Sequence, residues 1–319
     1  IDFAHTDFDK FLDASERKEP VAIMTGIKPT NEFHLGSKMT AEKIIYLQKE
    51  FKAKVFYAVA DLEALVDNGL PLDEQLKTAI HNVADLLALG LDPKNAYIYR
   101  QSKEQRVMNL AYLFSRKVTT NHMKNMYGER ELGLYFASFT QCGDMLLPQL
   151  PEFGGPKMVL VPVGADQSYH ILLCRDIVKK VMEFKFLPIA GIYHKFFRAL
   201  NGESKMSKRD PLSMLTLNDS PELIRKKIMS AVTGGRKTVE EQRKLGGIPE
   251  DSIVYELLLY HFMEDDRKVK KVYDEYRNGK MLDGEMKEIA IEIVTKFIAD
   301  HQKKKRKMLP LAEKILKES

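Results

Sequence analysis

The sequence predicts an α/β fold, a doubly wound parallel sheet, followed by an all-helical C-terminal region. Three observations carry this. Short apolar runs at Val21–Met24, Lys54–Ala60 and Ala96–Arg100 alternate with helix-length segments, the rhythm of strands joined by right-handed crossovers. The stretch Glu104–Leu150 interrupts that rhythm with helical patterning rich in Met and aromatic residues. After Leu217 no strand signal returns. The expected division is therefore an α/β domain over 1–213, with a helical insertion at about 103–150, and a helical domain over 214–319.

In chain order, Asp7–Lys18 alternates charge with Phe8, Phe11 and Leu12, which predicts a short amphipathic helix. The apolar run Val21–Met24 reads as a buried strand, and a Gly-containing loop leads to a helix that opens near Gly36 and repeats Ile44, Leu47 and Phe51. The second strand ends at Asp61. From Asp73 a helix buries Leu76, Ile80, Val83, Ala84 and Leu87, and Gly90 stops it as a C-cap. Glu104–Leu150 admits two readings, an insertion between the halves of the fold or a plain stack of core helices. Lys157–Val163 returns to strand, a helix runs through Ile171, Leu172, Ile177 and Val181, and Pro188–Tyr193 is a last short strand. Ser220-Pro221-Glu222 is a helix start: N-cap hydroxyl, Pro at the first position, carboxylate in the first turn. The final helix shows a stripe of Met286, Ile289, Ile293 and Phe297.

Composition sets bounds. The 319 residues are 44% hydrophobic and 30% charged, the balance of a globular protein with ample core. A net charge of +5 permits an RNA partner without demanding one. Cys142 and Cys174 have no companions at metal-ligand spacing, which argues against a structural zinc. They are expected to pack as small hydrophobes in a reducing, cytoplasmic compartment. No apolar run reaches the roughly 20 residues of a membrane span. The chain opens on Ile1, without a start Met or a signal peptide, and the expectation is that a segment precedes it.

The chemistry concentrates in two places. The turn before Gly36 would present helix N–H groups to a phosphate, with the His34 ring N–H at the same entrance and Ser37 as a further donor. Far down the chain, Lys205-Met206-Ser207-Lys208-Arg209 forms a basic loop. If a nucleoside triphosphate lies over Gly36, a carboxylate can attack its α-phosphorus and expel pyrophosphate. That reaction needs positioning and positive charge more than covalent help. His34 serves one side of the phosphates; Lys205 and Lys208 serve the other as the loop closes. Mg²⁺ would neutralise the phosphates in bulk. Neither a Walker loop nor a Ser/His/Asp set is present. Gln141 and Gln167 are candidate partners for an ammonium group, and Asp166, beside Gly164, for a ribose hydroxyl. Asp144, in Gln141-Cys142-Gly143-Asp144, is either an N-cap or solvent-facing residue, or the acceptor for the one polar hydrogen of a large aromatic ligand. Met24 is either core or the apolar wall for a flat ring. Lys303–Lys307 is a basic run, read as a solvated face or as an RNA contact.

His34-Leu-Gly-Ser37 with Lys205-Met-Ser-Lys208 resembles the paired motifs of class I aminoacyl-tRNA synthetases. The resemblance extends over nearly the whole chain. Phe3–Leu12, Thr233–Gly247, His261–Arg267, Met281–Lys287 and Ala299–Gln302 are similar to the tryptophanyl-tRNA synthetases of the archaeal and eukaryotic kind. It implies a Rossmann-like catalytic domain with a helical anticodon-binding domain, a homodimer, ATP and Mg²⁺, and tryptophan and tRNA(Trp) as partners. Carried over by position, Gly26, His34, Gly36, Ser37, Gly164, Asp166, Lys205, Met206, Ser207 and Lys208 would bind ATP. Of these, His34, Lys205 and Lys208 would be catalytic, and Met24, Gln141, Asp144 and Gln167 would hold the amino acid. Ser37 and Arg209 depart from the usual motif residues, which keeps a tRNA-binding paralogue without charging activity as an alternative. Asp144 resembles a residue of the bacterial tryptophan and the tyrosine enzymes. Met24 and Tyr57 stand where the archaeal and eukaryotic tryptophan enzymes normally carry a Tyr and a Gln. Archaeal-type tyrosine enzymes carry a second phenol-binding Tyr at the Met24 position, and its absence here favours tryptophan over tyrosine.

Overall fold

The computed structural model describes residues 2–195, 197–203 and 210–318. By internal contact these form two compact units, described separately below: 2–32, 40–195 and 307–318 in the first, and 33–39, 197–203 and 210–306 in the second.

The first unit is built on one six-stranded sheet. Its elements in chain order are β1 (Asp2–Thr6), α1 (Phe8–Glu16), β2 (Val21–Ile27), α2 (Leu35–Phe51), β3 (Lys54–Val59), α3 (Asp61–Asn68), α4 (Leu72–Leu89), β4 (Ala96–Arg100), α5 (Gln105–Ser115), α6 (Thr120–Tyr127), α7 (Leu132–Leu146), β5 (Met158–Gly164), α8 (Ser168–Val178) and β6 (Ala190–His194). The first turn of α2 belongs to the second unit. The sheet runs β1-β6-β5-β2-β3-β4, parallel throughout except for β1, which pairs antiparallel with β6. Chain order reverses between β2 and β5, the switch point at which open α/β sheets bind ligands. The doubly wound sheet is as the sequence predicts.

β1 has no signal in the sequence because four of its five residues are exposed and it shows no apolar alternation. Its existence depends on the distant backbone of β6. The short α3 is likewise set from outside. Asp61 at its start accepts from the Ser102 N–H (2.9 Å) and the Ser102 hydroxyl (2.5 Å), and pairs with Arg100 Nε at 3.0 Å. The helices α5 to α7 are core helices in the packing sense. Val107, Leu110, Phe114, Phe139 and Leu146 are buried in one cluster with Met24, Phe56 and Tyr99 of the strands. Cys142 and Cys174 are free thiols buried in the same cluster.

The second unit is helical: α9 (Pro221–Ser230), α10 (Val239–Leu245), α11 (Ile253–Leu257), a π-helical turn (Leu258–Phe262), α12 (Asp266–Arg277) and the long α13 (Asp283–Glu318), whose last turns belong to the first unit. Ser220 caps α9 as expected, its hydroxyl accepting from the Leu223 N–H. The buried stripe of α13 falls one position from the predicted one. Met286, Ala290, Val294 and Ile298 are buried, while Ile289, Ile293 and Phe297 are half-buried beside them. Spacing of i, i+4 is common to both stripes, so sequence alone could not choose between them.

An ion pair buried in this unit holds the turn before α9. Asp219 accepts two bonds from Lys227 Nζ (2.7 and 2.9 Å) and two from Thr216, through its N–H (3.0 Å) and hydroxyl (2.9 Å). Gln302 of α13 adds a bond to the Leu217 carbonyl at 3.2 Å, and Lys305 one to Asn218 Oδ1 at 2.9 Å. Within the basic run Lys305 is therefore buried, whereas Lys303, Lys304, Arg306 and Lys307 are exposed. Lys227→Met would strand the Asp219 carboxylate and is expected to cost about 3–5 kcal/mol, read as a lowered urea midpoint.

Candidate active site

In the first unit the site follows from the way β2 and β5 part. Their ladder covers Val21–Ile23 against Met158–Leu160. Beyond it the Thr25 hydroxyl reaches the Pro162 carbonyl at 3.4 Å. β2 meanwhile stays paired to β3 as far as Ile27. That pairing explains Gly26: a Cβ there would stand 2.6 Å from the Ala58 carbonyl oxygen. Met24 is buried in the core cluster at the point of parting. At the end of β5, Gly164 leads into a short 3-10 turn, Ala165–Gln167. There three predicted residues join in one hydrogen-bonded chain. Gln141 Nε2 donates to Gln167 Oε1 at 3.2 Å, and Gln167 Nε2 to Asp166 Oδ2 at 2.9 Å.

Gln141 and Asp144 are three residues apart on α7, hence on one face. Asp144 is neither an N-cap nor solvent-facing: it lies inside α7 and is 2% exposed. Tyr99 Oη donates to its Oδ1 at 2.7 Å and Gln101 Nε2 to its Oδ2 at 2.6 Å. Burial outweighs both bonds and pushes its pKa up to about 7. Tyr99 and Gln101 were not among the predicted site residues. The signal was their place at and just past the carboxyl end of a strand. Tyr127 Oη lies 3.1 Å from His170 Nδ1, and burial pulls that imidazole down to about 4, so it is neutral at pH 7.

In the second unit His34 precedes α2 in a short antiparallel bridge to Thr216. The Leu217 N–H donates to the Phe33 carbonyl (2.9 Å) and the Leu35 N–H to the Leu215 carbonyl (3.2 Å). The His34 ring then folds back over its own helix. Its Nδ1 accepts from the Gly36 N–H (3.1 Å) and the Ser37 N–H (3.4 Å), and its carbonyl accepts from the Lys38 N–H (2.9 Å). Two expectations change. The first-turn N–H groups are used by this cap and bridge and are not open to a phosphate. The space over Gly36 is taken by the imidazole, since a Cβ would stand 2.9 Å from His34 Cε1. Burial lowers the His34 pKa, so the ring is neutral. With Nδ1 accepting, the proton sits on Nε2, and that N–H is the donor the histidine can offer.

Lys205, Met206, Ser207, Lys208 and Arg209 lie outside the described residues. The chain on either side is pinned: the Leu200 N–H donates to the Ser213 carbonyl at 2.8 Å, and Asn201 Nδ2 to Asp210 Oδ2 at 3.2 Å. Elsewhere in this unit Asp283 clasps two of the sequence motifs, accepting from Thr233 Oγ1 (2.9 Å), Tyr276 Oη (2.5 Å) and Gln242 Nε2 (3.3 Å). Beside it a cavity of about 520 Å³ is lined by Arg236, Lys237, Thr238 and Glu285, among others.

The family described as tRNA synthetases class I (W and Y) matches residues 16–299. The chain belongs to that family. Over 99% of its length it is 44% identical to the tryptophan–tRNA ligase of Aeropyrum pernix, covering 85% of that protein. To the tryptophan–tRNA ligase of Methanocaldococcus jannaschii it is 38% identical, over 99% of this chain and 86% of that one. The crystal structure of tryptophanyl-tRNA synthetase from Aeropyrum pernix K1 superposes with a TM-score of 0.94, covering 98% of this chain and 85% of that one. A class I synthetase fold thus accounts for both the sheet and the helical region.

Asp144 gives this site a pH signature. Its folded-state pKa lies above the ordinary carboxylate value, so between about pH 4 and 7 the folded protein holds a proton that the unfolded chain has released. Stability from this group therefore falls as pH rises through that window and is level above it. Asp144→Asn should flatten that part of the stability curve, measured by urea midpoints across the window.

Proposed function

We infer that the protein is a tryptophan–tRNA ligase, which activates tryptophan with ATP and transfers it to tRNA(Trp). The observation that carries this is the likeness, over 99% of the chain, to ligases of that specificity. In activation, a carboxylate oxygen of tryptophan bonds to the α-phosphorus as the bond to the bridging oxygen breaks, and pyrophosphate leaves. Mg²⁺ enters as the counter-ion of ATP. Among the described residues no cluster of three His, Cys, Asp or Glu offers a metal site.

The roles of the side chains are part of the same proposal. The His34 Nε2–H donates to phosphate oxygens, supported by the cap that holds the proton on that nitrogen. Lys205 and Lys208 bring charge to the pyrophosphate leaving group, while Gly26, the Ser37 hydroxyl, Met206 and Ser207 complete the nucleotide contacts. Gly164 and Asp166 receive the ribose. Gln141 and Gln167 take the ammonium group of tryptophan, supported by their mutual bond at 3.2 Å. Asp144 accepts the indole N–H beside Met24. Each of its oxygens accepts one bond here and has a second lone pair to give. An N–H donor favours the ionised form and so offsets the burial that raises its pKa.

Residues 214–319 are proposed to hold the anticodon end of the tRNA. Arg236 and Lys237 in the 520 Å³ cavity supply charge for phosphate, beside carboxylates able to read a base edge. A homodimer would cover Tyr112, Leu132, Tyr169 and Met182, large apolar side chains exposed on the first unit. No described helix is long and apolar enough to cross a membrane, and a cytoplasmic location belongs to the reading.

The test is amino-acid-dependent exchange of pyrophosphate into ATP. Tryptophan should support it and tyrosine should not; the reverse would transfer the protein to the tyrosine enzymes. Lys205→Ala should slow adenylate formation by roughly 10²-fold while leaving tryptophan affinity intact, because its charge acts in the transition state. The chain contains no Trp, so affinity can be read from the ligand's own fluorescence. If Lys303, Lys304, Arg306 and Lys307 meet phosphates, neutralising two of them should reduce the salt dependence of tRNA binding by about two charges' worth.

A further inference from the structure

One charged side chain beside His34 has no part in the roles above. Lys38 lies in the first turn of α2 and is 1% exposed. Removing an ammonium group from water costs several kcal/mol unless the site compensates for it. Here Nζ donates to the His261 carbonyl at 2.8 Å and stands 5.1 Å from the ring centre of Phe262 and 4.9 Å from that of Phe297. Two aromatic faces at that range attract a cation, and more strongly when it is dry. The carbonyl belongs to the π-helical turn Leu258–Phe262, a geometry found mostly as single turns inside helices and often at functional sites. Phe297 comes from α13. The socket is thus assembled from two separate elements of the second unit for one lysine.

We propose that Lys38 is a positioning residue for His34. The segment 33–38 is held at both ends within the second unit. At its start, the backbone bridge ties Phe33 and Leu35 to Leu217 and Leu215. At its end, Lys38 is seated in the socket. His34 lies between, bonded through its carbonyl to the Lys38 N–H and through Nδ1 to the Gly36 and Ser37 N–H groups. Unseating Lys38 loosens the turn whose amides orient the imidazole, and displaces the Nε2 donor. This rests on the reading of the protein as an ATP-dependent ligase.

The variant to make is Lys38→Met, which keeps the length and apolar stem and removes the charge. Exchange is measured per active site, counted by the adenylate burst, and tryptophan affinity by ligand fluorescence. A displacement on the order of 1 Å can cost up to about 10²-fold. The expected result is a loss of at least about tenfold in kcat/KM for ATP, with tryptophan affinity unchanged and most of the activity kept by Lys38→Arg. A purely structural role would not give the next result: on a His34→Ala background, Lys38→Met should cost little more, because its effect passes through that ring. Additive losses in the double variant, or equal loss of tryptophan affinity, would overturn the proposal. Phe297→Leu, which removes one aromatic face and keeps apolar volume, should lower kcat/KM for ATP in the same direction and again only when His34 is present. Unchanged kcat/KM in both variants would also overturn it. A wild-type protein that exchanges with no amino acid would instead reject the ligase reading itself.

Discussion

The first unit depends on two parallel strands that travel together for three residues and then separate. β2 and β5 share a ladder over Val21–Ile23 and Met158–Leu160, and chain order reverses across them. In open α/β sheets such a reversal marks the crevice beyond the carboxyl ends of the strands where ligands bind. Met24 stands where the ladder ends, and Gly164 begins the turn that carries Asp166 and Gln167. On its other side β2 remains bonded to β3 through Ile27, and this is what requires a glycine at 26. The same geometry that exposes one flank of the strand crowds the other.

Burial governs the chemistry in both units, with opposite consequences for acid and base. Asp144 keeps two hydrogen-bond donors and is still pushed up to about 7, because desolvation of a carboxylate outweighs two neutral donors. On the proposed function, its charge would depend on what the ligand donates to it: an indole N–H would stabilise the ionised form. At His34 burial disfavours the cation instead. The neutral ring divides its two nitrogens between tasks: Nδ1 terminates the helix, and Nε2 remains the donor.

The helical unit is organised around buried charges that are each met by several partners. Asp219 accepts from Lys227 and from Thr216, whose backbone lies in the bridge beside His34. Lys38 is met by a carbonyl and two rings. Buried ions of this kind add little to stability compared with apolar residues of equal volume. Their geometric requirements do fix where the chain can lie, and the chain they fix here carries the histidine.

By itself the sequence determined the alternation of strand and helix, the switch to an all-helical region after Leu217, and the motifs at His34–Ser37 and Lys205–Lys208. Periodicity, caps such as Ser220 and Gly90, and local motifs are properties of neighbouring residues. It also picked out Gln141, Asp166 and Gln167, which the structure joins in one hydrogen-bonded chain. Tertiary structure alone decided what depends on distant partners. β1 exists through the backbone of β6, and α3 starts where Arg100 and Ser102 meet Asp61. Asp144 is buried where β4 and the residue just past it bring Tyr99 and Gln101 to α7. The buried stripe of α13 could not be chosen by spacing, since two stripes shared the period. The tautomer of His34, and the socket that takes Lys38, are set by atoms that come together only in space.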